Sequence, residues 1–192
     1  MNVLKSTLLA AILFSTTQAF AFDENRQGFI LGLGGGFTTL KVGTYNFNGD
    51  TWSVPEYGLA TSLKMGWGIT DQVALYYVQN DSWFRDYSSG FEPKETTFTV
   101  GISGIGATYF LEPTAPSAYI LAATGVGYIA TPFESGNLPN KGHAFLFGGG
   151  YEYEKNLTIE GTVLIANYDS GSNPTVNLKS SALQITLNYL FY

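Results

Sequence analysis

The chain has no cysteine and a single histidine, His143, among its 192 residues. The first absence excludes disulfides, thiolate metal sites and a lipidated N-terminal cysteine. The second leaves a transition-metal centre short of its commonest ligand, so no metal or cofactor is expected. Charge is scarce too: 12% of residues are Asp, Glu, Lys or Arg, about half the usual share. Nine basic residues stand against fifteen acidic ones, for a net charge of −6, which argues against nucleic acid as a partner because phosphate binding needs clustered cations. No stretch beyond the N-terminus approaches the roughly 20 apolar residues of a membrane-crossing helix. What the chain does have is 23 glycines and 16% aromatic residues.

The N-terminus reads as a processing segment. Lys5 supplies one positive charge, Leu8 to Phe14 (LLAAILF) a short apolar core, and Ala19-Phe20-Ala21 a small-x-small site before Asp23-Glu24. This is a secretory signal peptide pattern over 1–21, cleaved after Ala21, and it leaves one domain over 22–192.

Eight strand-like stretches follow. QGFILGLGGGF (27–37) sets Phe29, Leu31 and Leu33 against Gly32 and Gly34. YGLATSLKMGWGI (57–69) alternates Tyr57, Leu59, Leu63, Met65 and Trp67 with Gly58, Ala60, Ser62, Lys64 and Gly66. QVALYYVQN (72–80) is the third, and TTFTVGISGIGATYF (96–110) has Phe98, Val100 and Ile102 in phase. SAYILAATGVGYI (117–129) is apolar on both faces, which leaves its phase open. HAFLFGGGYEY (143–153), LTIEGTVLIA (157–166) and LKSSALQITLNYLFY (178–192) again set large residues against small or polar ones. Tight turns at 70–72, 111–116 and 154–156 alternate with long connections at 38–55, 81–95, 130–142 and 167–177. Three-residue loops pairing Ile69 with Val73 and Tyr153 with Leu157 satisfy the strand parities.

A period of two puts bulk on one face and glycine, serine and charge on the other. A water-soluble barrel of lipocalin type remains an alternative, but it would have a core of Gly, Ala and Ser or an exterior nearly without charge. Turned inside out, the large face meets lipid and the small face lines the narrow interior that eight strands enclose. With no spanning helix, a membrane protein must be such a closed barrel. The expected fold is therefore an all-β, eight-stranded antiparallel up-and-down transmembrane β-barrel. Trp67, Phe110, Tyr153, Tyr189 and Phe191 then form an aromatic girdle at the turn end, with Trp83 at the opposite rim.

The phrases WGITDQVALYY (67–77) and GGGYEYEKNLTIEG (148–161), with the aromatic end SALQITLNYLFY (181–192), resemble the small eight-stranded outer-membrane β-barrel family of OmpA and OmpX type. The resemblance covers the whole mature chain. It implies the outer membrane of a Gram-negative bacterium, periplasmic N- and C-termini, and contact with outer-membrane lipid and lipopolysaccharide. It also implies recognition by the outer-membrane assembly machinery through Tyr189, Phe191 and Tyr192, although Tyr192 runs one residue past the in-phase aromatic Phe191.

Chemistry is sparse. His143 lacks the neighbours of a lipid A deacylase, and Asp81-Ser82 has no first-loop histidine to match the similar acyltransferases, so Ser82 reads as a loop hydroxyl and no catalytic residue is assigned. Strand parity points Lys64, Glu152 and Glu160 into the lumen, where an unpaired charge is costly, and a Lys64–Glu160 interaction with Glu152 nearer the turn end is expected. The expected function is non-enzymatic: a barrel anchoring surface loops for adhesion, ligand binding or envelope integrity. Loop aromatics including Tyr45, Phe47, Trp52, Phe84, Phe91 and Tyr168 suit adaptable contact. The alternative is OmpW-like passage of small or hydrophobic solutes, and a third is a lipid A-modifying enzyme.

Overall fold

A computed structural model describes residues 26–46, 49–52, 56–88, 94–133, 140–169 and 177–192. Residues 1–21, expected as a signal peptide, and the aromatics Phe47 and Phe91 lie outside the described residues. The described elements are all strands: β1 (Gly28–Asn46), β2 (Gly49–Trp52), β3 (Glu56–Gly68), β4 (Val73–Ser88), β5 (Lys94–Phe110), β6 (Ser117–Ala130), β7 (Asn140–Glu154), β8 (Leu157–Asp169) and β9 (Asn177–Phe191).

Each strand from β3 to β9 pairs antiparallel with the next, β1 pairs with β3, and β9 returns to β1. Eight strands thus close a barrel, and β2 extends β1 as a short hairpin at one end. Closure leaves the wall without an unpaired edge, the one arrangement of strands that lipid tolerates. Directly paired residues trace a path from Trp67 through Leu75, Ala107, Ala122, Phe147, Val163, Leu183 and Thr39 back to Tyr57, ten residues further along the same strand. That stagger tilts the strands by roughly 35–45° from the barrel axis.

Barrel strands run from 13 residues in β3 to 19 in β1, more than the 9–11 or so that cross the hydrocarbon. The excess lies at the end opposite the tight turns. There 38–46, 81–88, 94–95, 140–142 and 167–169, expected as loops, continue the ladder. Backbone pairing needs no apolar side chain, so the strands outrun their hydrophobic pattern.

Inward and outward residues alternate along the eight barrel strands where their side chains are described. Leu59 is 60% exposed, and Phe147 and Ile185 also face out, while Glu160 and Lys64 are buried within. Three expectations are corrected. In β5, Phe98, Val100 and Ile102 point inward, and the outward face carries Thr99, Gly101, Ser103, Ile105, Ala107 and Tyr109. The β7–β8 hairpin turns in two residues, not three: Glu154 pairs with Leu157, a bulge falls at Tyr153, and Asn156 takes a left-handed φ of 74°, which Asn accepts more readily than most residues. Ser82, expected in a loop, lies in β4 with its side chain buried in the lumen. The open phase of β6 resolves with Tyr119, Leu121 and Ala123 inward and Ile120, Ala122 and Thr124 outward.

Glycine on the inner wall makes room for rings crossing it. A Cβ at Gly106 would lie 2.8 Å from the Tyr76 ring and 2.9 Å from the Ala123 methyl carbon. Gly106→Val is expected to destabilise the barrel by about 1–3 kcal/mol through overpacking. Urea titration of the refolded protein measures it, and an unchanged midpoint would show that Tyr76 moves aside freely.

Candidate functional site

The lumen is crossed at three levels. At the turn end the Arg26 guanidinium enters the barrel mouth. Its Nε donates to Glu152 Oε2 at 2.9 Å, and Nη2 donates to the same oxygen. Nη1 donates to the backbone carbonyls of Asp71 and Glu112 at 3.0 and 2.8 Å, tying the first two tight turns together. The cation sits 4.0 Å above the Phe110 ring, which packs against Tyr119. Glu152 Oε1 accepts from the Tyr192 hydroxyl and from the Asn156 amide. Burial, and then the Glu152 carboxylate beside it, hold the Tyr192 phenol above its ordinary range, so it remains a donor.

One level further in, Lys64 on β3 donates to Glu160 Oε2 on β8, a contact across the lumen since β1 and β9 lie between the two strands. Tyr119 on β6 donates to the same oxygen at 2.9 Å. The Lys64 ammonium lies 5.7 Å from the Tyr76 ring, and the Tyr76 hydroxyl is 2.8 Å from Thr108 Oγ1. Beyond this level, Gln184 Nε2 donates to Ser82 Oγ at 2.7 Å and Thr162 Oγ1 donates to Gln184 Oε1 at 3.2 Å. Thr38 and Ser82 hydroxyls meet at 2.9 Å, so β1, β4, β8 and β9 are linked through one amide. Phe84 stacks on Phe98, and the Tyr168 hydroxyl reaches Ser180. Both rings were expected in loops and are buried instead. Between the first two levels a cavity of about 20 Å³ is left, enough for about one water.

The exterior has the opposite character. Trp67, Tyr153, Tyr189 and Phe191 are exposed near the turn end, and Tyr189 packs on Phe191. Trp83 faces out at the other end, its indole N–H donating to Thr61 Oγ1 at 2.9 Å. Phe110 is the correction to this girdle: its even parity in β5 turns it inward, where it is 3% exposed beneath Arg26. His143 faces outward near the start of β7.

No protein-family model matches the chain, and no curated protein does. Solved structures match it over most of its length. Neisserial surface protein A aligns with a TM-score of 0.51 at 17% identity, covering 84% of this chain and 96% of that one. Ail, the attachment invasion locus protein of Yersinia pestis, solved with the heparin analogue sucrose octasulfate, aligns at 0.50 and 11% identity, covering 85% and 99%. The chain has the small eight-stranded outer-membrane β-barrel fold.

For a barrel of this kind, water outside and a polar core inside are not the relevant pair. An apolar belt about 25 Å tall faces acyl chains, and the polar lumen must satisfy itself. Arg26 and Tyr119 are lumen residues that sequence patterning misses. Arg26 precedes the first strand and has no periodicity to place it. Tyr119 sits in β6, whose two faces look alike in sequence. Gln184 has inward parity, and its role as a hub appears only once four strands converge on it.

Proposed function

We propose that the protein is a non-enzymatic outer-membrane barrel of a Gram-negative bacterium, anchoring four surface loops for adhesion, ligand binding or envelope integrity. In this reading the tight turns and both ends of the chain face the periplasm. Tyr189, Phe191 and Tyr192 serve the assembly machinery, and lipopolysaccharide surrounds the outer-leaflet half of the wall. The observation that carries the reading is the lumen, spanned wall to wall by the Arg26–Glu152, Lys64–Glu160 and Ser82–Gln184 networks. A barrel filled in this way is a rigid anchor and offers a solute no continuous aqueous path, which counts against OmpW-like passage. Ail was solved with a heparin analogue, but the net charge of −6 here gives a polyanion little to bind.

Extraction from cell envelopes is expected to need detergent, and gel mobility is expected to shift on heating. In planar bilayers the purified barrel is expected to show no steady conductance. A stable open channel would overturn the anchor reading in favour of transport. Altered lipid A masses in cells carrying the gene would overturn it in favour of an enzyme.

A further inference from the structure

We propose that the outer face of β4–β6 is a binding site for an outer-leaflet lipid whose acyl chains carry hydroxyl or amide groups beside the head, with its anionic head toward Lys141. The proposal rests on the outer-membrane reading above and deepens it. Its origin is the outward face of β5, where Thr99, Gly101, Ser103 and Ala107 leave Ile105 and Tyr109 as the large outward side chains from 99 to 109. Two hollows lie on this side of the wall. The one nearer the turns, about 950 Å³, has Ala107 and Ala122 on its floor and Trp67, Ile105 and Phe145 around it. The one above it, about 620 Å³, is flanked by Trp83 and Val126 and contains Asp81, Thr99 and Tyr128.

The upper hollow is polar on the side that faces lipid. Asp81 has outward parity yet is only 7% exposed, because the Tyr128 hydroxyl and the Gln79 amide both donate to its carboxylate, the latter at 3.1 Å. A Cβ at Gly101 would run into Asp81 and Tyr128, so glycine there is what lets the tyrosine lie across the wall. The Thr99 hydroxyl, 5% exposed, has no hydrogen-bond partner among the described residues. Just below, the Tyr77 and Ser103 hydroxyls meet at 2.8 Å.

Depth decides what these groups meet. A tilted strand climbs about 2.4 Å per residue along the membrane normal. Asp81, eight residues beyond Val73, lies roughly 19 Å above the periplasmic end, and Tyr128, eleven beyond Ser117, roughly 26 Å. With an apolar belt about 25 Å tall, the cluster sits at its outer-leaflet edge. A plain acyl chain offers only CH₂ groups there, and polar groups without partners are costly against them. An acyl chain bearing a hydroxyl or an amide N–H supplies a donor to the carboxylate and a partner to Thr99, and its hydrocarbon continues down over Ala107 and Ala122. Lys141, exposed and directly opposite Tyr128 on β7, stands one strand higher along the climbing row, at headgroup level. A second copy of the chain suits the site poorly. Two convex walls do not fill a concavity a few strands wide, and a two-fold contact would bring two Asp81 carboxylates together.

The test is native mass spectrometry of the full-length barrel in detergent, offered lipid A or cardiolipin. Both are anionic, diphosphorylated and multi-chained, but only lipid A has hydroxylated, amide-linked chains. Lipid A is expected to be retained about tenfold more than cardiolipin, the scale of one hydrogen bond to a charged group. The pair Asp81→Leu and Thr99→Val should reduce lipid A to the cardiolipin level while keeping the heat-dependent gel shift. Should that pair not fold, Ser103→Cys gives a unique handle in a chain without cysteine. A bulky maleimide attached there in the folded barrel should displace lipid A. Equal retention of the two lipids, or lipid A held undiminished by the labelled barrel, would overturn the site. Disulfide-linked dimers of Ser103→Cys in native membranes would also overturn it, because a second copy would then occupy the hollow. Extraction without detergent would instead sink the outer-membrane reading, and this site with it.

Discussion

Lys64→Met is expected to lower the stability of the barrel by about 3–5 kcal/mol, the cost of leaving one buried charge without its partner. Glu160 is 1% exposed, and one of its carboxylate oxygens already lacks a hydrogen-bond partner. Without Lys64 the other oxygen keeps only the Tyr119 hydroxyl. Methionine matches the lysine stem in volume, so packing around Tyr76 and Gly32 is retained and the loss reports charge, not shape. The companion variant Lys64→Met with Glu160→Leu removes both ions and is expected to recover most of the loss, since replacing a buried pair by apolar residues is often neutral or better. Urea unfolding and the temperature of the gel-mobility shift measure both, together with Glu160→Leu alone and the unaltered protein. If the double variant loses the sum of its two single losses, Lys64 and Glu160 are not coupled and the cross-lumen bridge contributes nothing.

How much of this was legible in the sequence depends on how different the two faces of each strand are. In β3 the contrast of Leu59, Leu63 and Trp67 with Ala60, Lys64 and Gly66 leaves one reading, and β7 to β9 behave alike. The strands on the other side of the barrel do not. Val100 and Ile102 look like lipid-facing residues until β5 is paired with β4, whose inward Val78 and Asn80 fix the parity. Phe110 follows from the same error: one strand read in the wrong phase moves every side chain to the other face. On the inner wall, Gly32, Gly34, Gly106 and Gly150 leave space for the side chains of the residues paired to them, Leu190, Asn188, Tyr76 and Tyr119. That complementarity lies between residues far apart in the chain, so no local pattern announces it. The outward face of β5 also carries Thr99 and Ser103, so a strand that is hard to phase from sequence contributes to the proposed lipid site.

Arg26→Met is expected to produce a loss of comparable size, about 3–5 kcal/mol, through a different set of contacts. The guanidinium satisfies Glu152, two turn carbonyls and the face of Phe110 at once. Its removal leaves the buried Glu152 carboxylate to the Tyr192 hydroxyl and the Asn156 amide alone. The two carbonyls, of Asp71 and Glu112, belong to the turns joining β3 to β4 and β5 to β6, so these hairpins also lose their shared anchor. Arg26→Lys separates charge from shape. An ammonium restores the ion but not the planar fork that reaches both the carboxylate and the carbonyls, so an intermediate stability is expected. Tyr192→Phe should cost about 1.5–3 kcal/mol, the usual range for a hydrogen bond to a charged group. Equal stability of Arg26→Lys and the unaltered protein would show that the fork is immaterial. Equal stability of Arg26→Met would show that the turn-end mouth holds together without its arginine. Because Tyr192 directly follows the closing strand β9, loss of stability in Arg26→Met should come with slower refolding into lipid vesicles if this latch forms as the barrel seals, and with faster unfolding alone if it forms afterwards.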